Sequence, residues 1–199
     1  LHEGFAERYS VDVRAIHAEP RTNALCSDRF GDERNFNYCK STQAAPPEVL
    51  FLPDSRPQSV YDGTAEILGK RHAITLLARG GCPPILGADL HYRNQHGCME
   101  AWETFVRYVE RAEPPLVVLV GGGLHLLDPA DAELVTPSQF ATREEALRYG
   151  LRELITVLAR TSRVIYIRPL PYFDTPPSCF LRPISLPGSQ CSPTISRSG

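Results

Sequence analysis

Lysine is almost absent from this 199-residue chain, occurring only as Lys40 and Lys70. The 21 basic residues are therefore mostly arginine, and 23 acidic residues outnumber them for a net charge of −2. The arginines are spread evenly, which reads as compositional bias of the source genome. No polyanion-binding footprint appears, so no nucleic-acid partner is expected. Long apolar runs are missing too. The longest, Pro115 to Leu127, is interrupted by Gly121, Gly122 and Gly123, whereas a membrane-spanning helix needs about 20 apolar residues. No basic-then-apolar leader follows Leu1, and the chain reads as an excised or processed piece of a longer protein. No Cys-x-x-Cys occurs, and no cysteine spacing suits a structural zinc site, so no metal is expected. No internal repeat is present.

A hydrophobic fraction of 42% against 22% charged residues excludes wholesale disorder. The length suits one domain with an appendage. The six cysteines fall into three sequential pairs: Cys26 and Cys39, Cys82 and Cys98, Cys179 and Cys191. Six cysteines admit many connectivities, and sequence alone does not choose among them. Local pairing is expected, because each pair brackets a polar loop containing Pro or Gly. Closing a loop of ~15 residues stabilises by about 3 kcal/mol in the chain-entropy account. Disulfides point to an oxidising compartment: periplasm, cell surface or secreted space. The alternative is six buried free thiols in a cytosolic protein.

Residues 1–47 are polar and irregular and end in Ala44-Ala45-Pro46-Pro47. They read as an extension laid on a main domain of residues 48–199. Apolar runs at Val49–Leu52, Ala73–Leu77, Leu116–Val120 and Val164–Ile167 read as strands. A helix is expected from Pro57 to Arg71, with Val60, Ile67 and Leu68 inward. A second follows Cys98, its core stripe being Met99, Trp102, Phe105, Val106 and Val109. A third opens on the capping box Thr142 to Glu145 and carries Leu147, Leu151, Leu154, Ile155 and Leu158. The segment Arg79–Gly97 reads as a long loop, and the tail from Pro183 carries no element signal. Near-continuous apolar strands alternating with helices predict an α/β fold: a parallel sheet, buried on both faces, with helices on each side.

In such a sheet ligands bind beyond the carboxyl ends of the strands. Ser55, at a strand-to-helix turn after Pro53 and Asp54, is the candidate nucleophile. Its own N–H, with those of Gly81 and Gly123, could stabilise an oxyanion; turn geometry also accounts for both glycines, and helix capping for the serine. Asp54 would hold the turn. A serine needs a base within hydrogen-bond reach. His125, with Asp128 three residues on, is a candidate base; His91 and His96 lie in the loop bracketed by Cys82 and Cys98. Arg56 could meet a ligand. Tyr172 and Phe173 could form a sugar platform or pack in the core.

Val49-Leu50-Phe51-Leu52-Pro53-Asp54-Ser55 resembles the strand–Gly-Asp-Ser block of SGNH-type hydrolases. The chain more specifically resembles the extracytoplasmic SGNH domain fused to acyltransferase-3 membrane proteins, the O-antigen acetylase-like O-acyltransferases. A cysteine pair precedes the Ser block, and Gly81-Cys82-Pro83-Pro84 follows the second strand. Cys98 and Trp102 open a helix. Pro169-Leu170-Pro171 and Cys179-Phe180-Leu181-Arg182 follow the last strand. The resemblance implies a flavodoxin-like three-layer α/β/α fold with Ser55 as the acyl-accepting nucleophile. It implies transfer of an acetyl or similar group to a cell-envelope saccharide such as lipopolysaccharide O-antigen. It further implies an acyl donor delivered by a membrane acyltransferase-3 domain in the same polypeptide, no cofactor, and a periplasmic or cell-surface location tethered to the inner membrane. The domain itself would be monomeric.

The chain departs from the family pattern at three places. Pro53 stands where the family has Gly, and Arg56-Pro57 where it often has His-Ala. No His follows His125, so the family's C-terminal Asp-x-x-His is not evident and the isolated chain could be inactive. Two other functions therefore stay open: a secreted esterase of the same fold, and a non-catalytic envelope module that binds a glycan or partner.

Overall fold

Branched apolar residues in unbroken succession suit strands covered on both faces, and two such runs form the middle of the sheet. The computed structural model describes residues 21–30, 36–53, 57–87, 89–92, 97–120, 132–135 and 140–167. In chain order the elements are α1 (Ala24–Phe30), β1 (Tyr38–Ser41), β2 (Val49–Pro53), α2 (Pro57–Leu68) and β3 (Ile74–Ala78). There follow β4 (Asp89–Tyr92), α3 (Cys98–Ala112), β5 (Leu116–Val120), β6 (Ala132–Val135), α4 (Arg143–Leu158) and β7 (Arg163–Ile167). One sheet has the order β1-β3-β2-β5-β7, and β4 pairs with β6 in a separate ribbon. β3, β2, β5 and β7 run parallel, while β1 lies antiparallel on β3.

The sheet divides the core in two, as the period-2 alternation of strands requires. Leu50, Leu52, Leu77, Val117 and Leu119 pack with residues of α1, α3 and α4. Phe51, Ile74, Leu76, Val118 and Val120 pack with Tyr61 of α2. Helices thus cover both faces, and the α/β expectation holds.

Several local expectations are corrected. Residues 21–47 are not irregular throughout: α1 and β1 form there, and β1 adds an antiparallel strand to the sheet. The Arg79–Gly97 loop contains β4. In α2 Val60 packs inward as expected, beside Tyr61, 3% exposed, whereas Ile67 is 72% exposed and Leu68 is exposed too. Tyr61 sets the helix phase by packing edge-on against Phe51 at 6.0 Å, and Ile67, six residues on, falls on another side of the cylinder. Burial pushes the Tyr61 phenol well above its ordinary range. Met99 is also exposed, because the disulfide-bonded Cys98 and Ala101 fix the phase of the first turn of α3. β7 is not buried on both faces: Arg163 and Ile165 are exposed, since β7 is the last strand in the described sheet order.

The capping box forms. Thr142 accepts a hydrogen bond from the Glu145 N–H at 3.1 Å, and the Glu145 carboxylate accepts one from the Ala141 N–H at 3.0 Å. One of the two lysines, Lys40, donates to Asp62 of α2 at 3.0 Å, tying β1 to the helix above it.

Two disulfides staple the described residues. Cys26–Cys39 joins α1 to β1, with Cα atoms 5.5 Å apart. Cys82–Cys98 joins the segment after β3 to the first residue of α3, with Cα atoms 5.2 Å apart. Cys179 and Cys191 lie outside the described residues. Between the bridged positions the chain packs tightly. Trp102, fully buried, donates its indole N–H to the Pro83 carbonyl at 2.6 Å. The Leu86 N–H donates to the Gly150 carbonyl at 3.0 Å. A Cβ on Gly150 would stand 2.8 Å from the Ile85 Cβ and 3.0 Å from the Leu86 carbonyl oxygen, so only glycine lets α4 approach this strap.

Replacing Cys82 and Cys98 together by serine is expected to lower stability by about 3 kcal/mol, read as a fall in the urea midpoint. Gly150→Ala is expected to cost about 1–3 kcal/mol through overpacking against backbone; an unchanged midpoint would show that the strap yields freely.

Candidate active site

A chain that lays down β2, then β3 on one side of it, then β5 on the other, reverses direction across the sheet. The crevice at the carboxyl end of that reversal is where open α/β sheets bind ligands. Here it lies between β2 and β5, which pair in parallel from Val49 with Leu116 to Pro53 with Val120. Pro53 is the last residue of β2. The β2–β3 register ends earlier, at Phe51 with Leu76, so a missing N–H at this terminal position costs little of the ladder. Three residues, Asp54, Ser55 and Arg56, connect Pro53 to the first residue of α2. They lie outside the described residues, as do Gly123, His125 and Asp128 after β5, His96, and Tyr172 and Phe173 after β7.

The segment after β3 is described and is rigidly held. Arg79 to Cys82 form a turn closed by the Cys82 N–H on the Arg79 carbonyl at 3.3 Å. Gly81 is its third residue, with φ of 78°, a conformation that favours glycine and places it as in a type II turn. Turn geometry thus accounts for this glycine, and among the described residues no acceptor meets its N–H. The buried Gly80 N–H donates to the Asn37 side-chain oxygen at 2.8 Å, and the Asn37 N–H donates to the Ala78 carbonyl at 3.1 Å. Asn37 is a residue that sequence reasoning missed. It lies just before β1, in a stretch with no periodic signal, and its partner is far away in the chain. The Cys82–Cys98 bridge anchors the far end of the turn. Gly97, at the cap of α3 with φ of 79°, makes no side-chain cap bond, and a Cβ built on it would lie 3.8 Å from an Arg79 guanidinium nitrogen. The cationic Arg79 therefore stands beside the start of α3.

Of the histidines, His72 is placed away from this edge. It precedes β3, at the amino end of the parallel strands, with Nδ1 2.8 Å from a Glu48 carboxylate oxygen. That hydrogen bond, then one from the Ala73 N–H, holds the Glu48 carboxyl below its ordinary range. His91 lies in β4, opposite Glu133 of β6. The described part of the carboxyl edge is thus a rigid glycine turn with the cationic Arg79 beside it.

No curated protein matches the chain. The solved periplasmic domain of a lipopolysaccharide acetyltransferase from Salmonella ser. Paratyphi A matches with a TM-score of 0.48 and 16% identity, over 64% of this chain and 47% of that one. The chain spans about half the length of that relative. The family model described as the SGNH domain (fused to AT3 domains) matches residues 25–198. With residues 25–198 matched, the chain belongs to the family of SGNH domains fused to AT3 domains.

Proposed function

We propose that the chain is the O-acyltransferase domain of a larger cell-envelope protein. It moves an acetyl or similar acyl group to a saccharide hydroxyl, with lipopolysaccharide O-antigen or another envelope glycan as acceptor, through an acyl-serine at Ser55. The observation that carries this reading is the position of β2. It is flanked on both sides by parallel strands, ends at the reversal of the sheet, and is followed directly by Asp54-Ser55 and the start of α2. A serine before a helix is close to N–H groups that favour developing negative charge. The N–H of Gly81, on the turn after the neighbouring strand, meets no acceptor among the described residues and supports a role as a second oxyanion donor. Asp54 holds the turn.

Family membership supports an acyltransferase-3 membrane domain in the same polypeptide as the source of the acyl group. Two disulfides support an extracytoplasmic location. No helix of the described residues is long and apolar enough to cross a membrane, so tethering would come from that partner domain.

A second reading, a non-catalytic glycan- or partner-binding module, draws on Pro53 in place of the family's glycine. One experiment separates the two. The chain treated with p-nitrophenyl acetate is expected to release a burst of p-nitrophenol and gain one acetyl group on the Ser55 peptide by mass spectrometry. Ser55→Ala abolishes both. Absence of the adduct in the unaltered chain, or its persistence in Ser55→Ala, would sink the acyl-serine reading and leave the binding module.

A further inference from the structure

A single apolar side chain in water needs no explanation. Tyr149 of α4 differs from such a residue in being both exposed and held. It is 41% exposed, the most of any Phe, Tyr or Trp among the described side chains. Its ring rests against that of Phe140, with centroids 5.2 Å apart and planes at 48°. On another flank lies Gly87, where a Cβ would stand 4.0 Å from Tyr149 Cε1. Gly87 has φ of 77°, a conformation that favours glycine, so no side chain grows beside the ring there. The next residue of α4, Gly150, joins the helix to the strap through its carbonyl and the Leu86 N–H. The phenol ring is thus placed before any ligand arrives, and a tyrosine has only two side-chain torsions to fix.

Its setting is the ligand-binding end of the sheet. α4 connects β5 to β7, which run parallel, so the helix starts at the carboxyl edge and returns toward the amino edge. Tyr149 is the seventh of its 16 residues, in the half nearer the carboxyl edge. Gly87 ends the strap that continues from the Gly81 turn at that same edge.

Size and polarity select the occupant. An aromatic side chain carries roughly 200 Å², so about 80 Å² of this one faces water. A stable protein interface needs about 800 Å² from each partner, and a lipid surface is met by a broad apolar face. One helical turn from Tyr149 stand Glu145, Arg152 and Glu153, so the apolar spot is small and has a charged rim. A pyranose ring has matching proportions: one face of C–H groups, with hydroxyls around its edge.

We propose that Tyr149, backed by Phe140 and flanked by Gly87, is a stacking platform for a pyranose ring of the acceptor glycan, with Arg152 and Glu153 as partners for its hydroxyls. The assignment rests on the saccharide-acceptor reading above and names the surface that would hold that saccharide.

The test is saturation-transfer NMR on the whole chain with the methyl glycosides of glucose, galactose, mannose and rhamnose. At least one is expected to receive saturation at its ring C–H protons and to shift the Tyr149 ring resonances on titration. Tyr149→Phe keeps the binding, and Tyr149→Ala weakens it about tenfold. Ile67→Ser, on the surface of α2, leaves it unchanged. The resonance shifts are read in the unaltered chain and need no alanine variant to fold. Absence of transfer to all these glycosides, unmoved Tyr149 resonances, or equal binding by Tyr149→Ala overturns the platform. So does self-association of the chain that Tyr149→Ala abolishes, which would give the ring to a second copy. The ester burst at Ser55 needs no saccharide. Loss of that burst with binding intact overturns the acyl-serine alone, and loss of binding with the burst intact overturns the platform alone.

Discussion

The placement of β2 between two parallel neighbours is the constraint on which the rest of the molecule depends. Parallel strands cannot be joined by tight turns; each crossover must pass over a face of the sheet. With β3 on one side and β5 on the other, the crossovers that follow β2 and β3 go to opposite faces. α2 covers one and α3 the other. The same arrangement leaves a crevice at the carboxyl end, where the two crossovers part. Core formation and site formation are therefore consequences of one strand order.

The carboxyl edge after β3 is rigid where the core ends, and short-range devices hold it so. The glycine turn after β3 is held by Asn37 from outside the sheet and by a covalent bridge from below. The strap that follows is clamped between the indole of Trp102 and the bare backbone of Gly150. Both contacts satisfy buried backbone groups that would otherwise cost about 1–3 kcal/mol each. The glycines and prolines of Gly80-Gly81-Cys82-Pro83-Pro84 thus mark a segment of fixed shape, not slack.

Much of this was legible in the sequence, and the failures share a cause. The four parallel strands were readable because each is a run of branched apolar residues, and α4 because Thr142 and Glu145 announce its start. β1, β4 and β6 have four residues each. They exist only through partners remote in sequence, so no local periodicity betrays them. The inward side of α2 was misread because one aromatic ring, Tyr61, outweighs two aliphatic residues near the helix end. The opposition of His91 and Glu133 belongs to the same class: register, not spacing, creates it. The Asp54-Ser55 block was legible as a candidate because Asp-Ser after an apolar strand is a local pattern, and the strand order puts the end of β2, the strand before it, at the reversal of the sheet.

The bridge between Cys82 and Cys98 has a consequence for how such domains diversify. It fixes both ends of an excursion whose first residues, Pro83 to Leu86, pack against Trp102 and Gly150, so that length added after them leaves this packing in place. Lengthening a closed loop of this kind is cheap, about 0.6 kcal/mol for each doubling, and Trp102 stays seated throughout. Insertions there extend the chain between the bridged positions while the layers beneath remain unaltered.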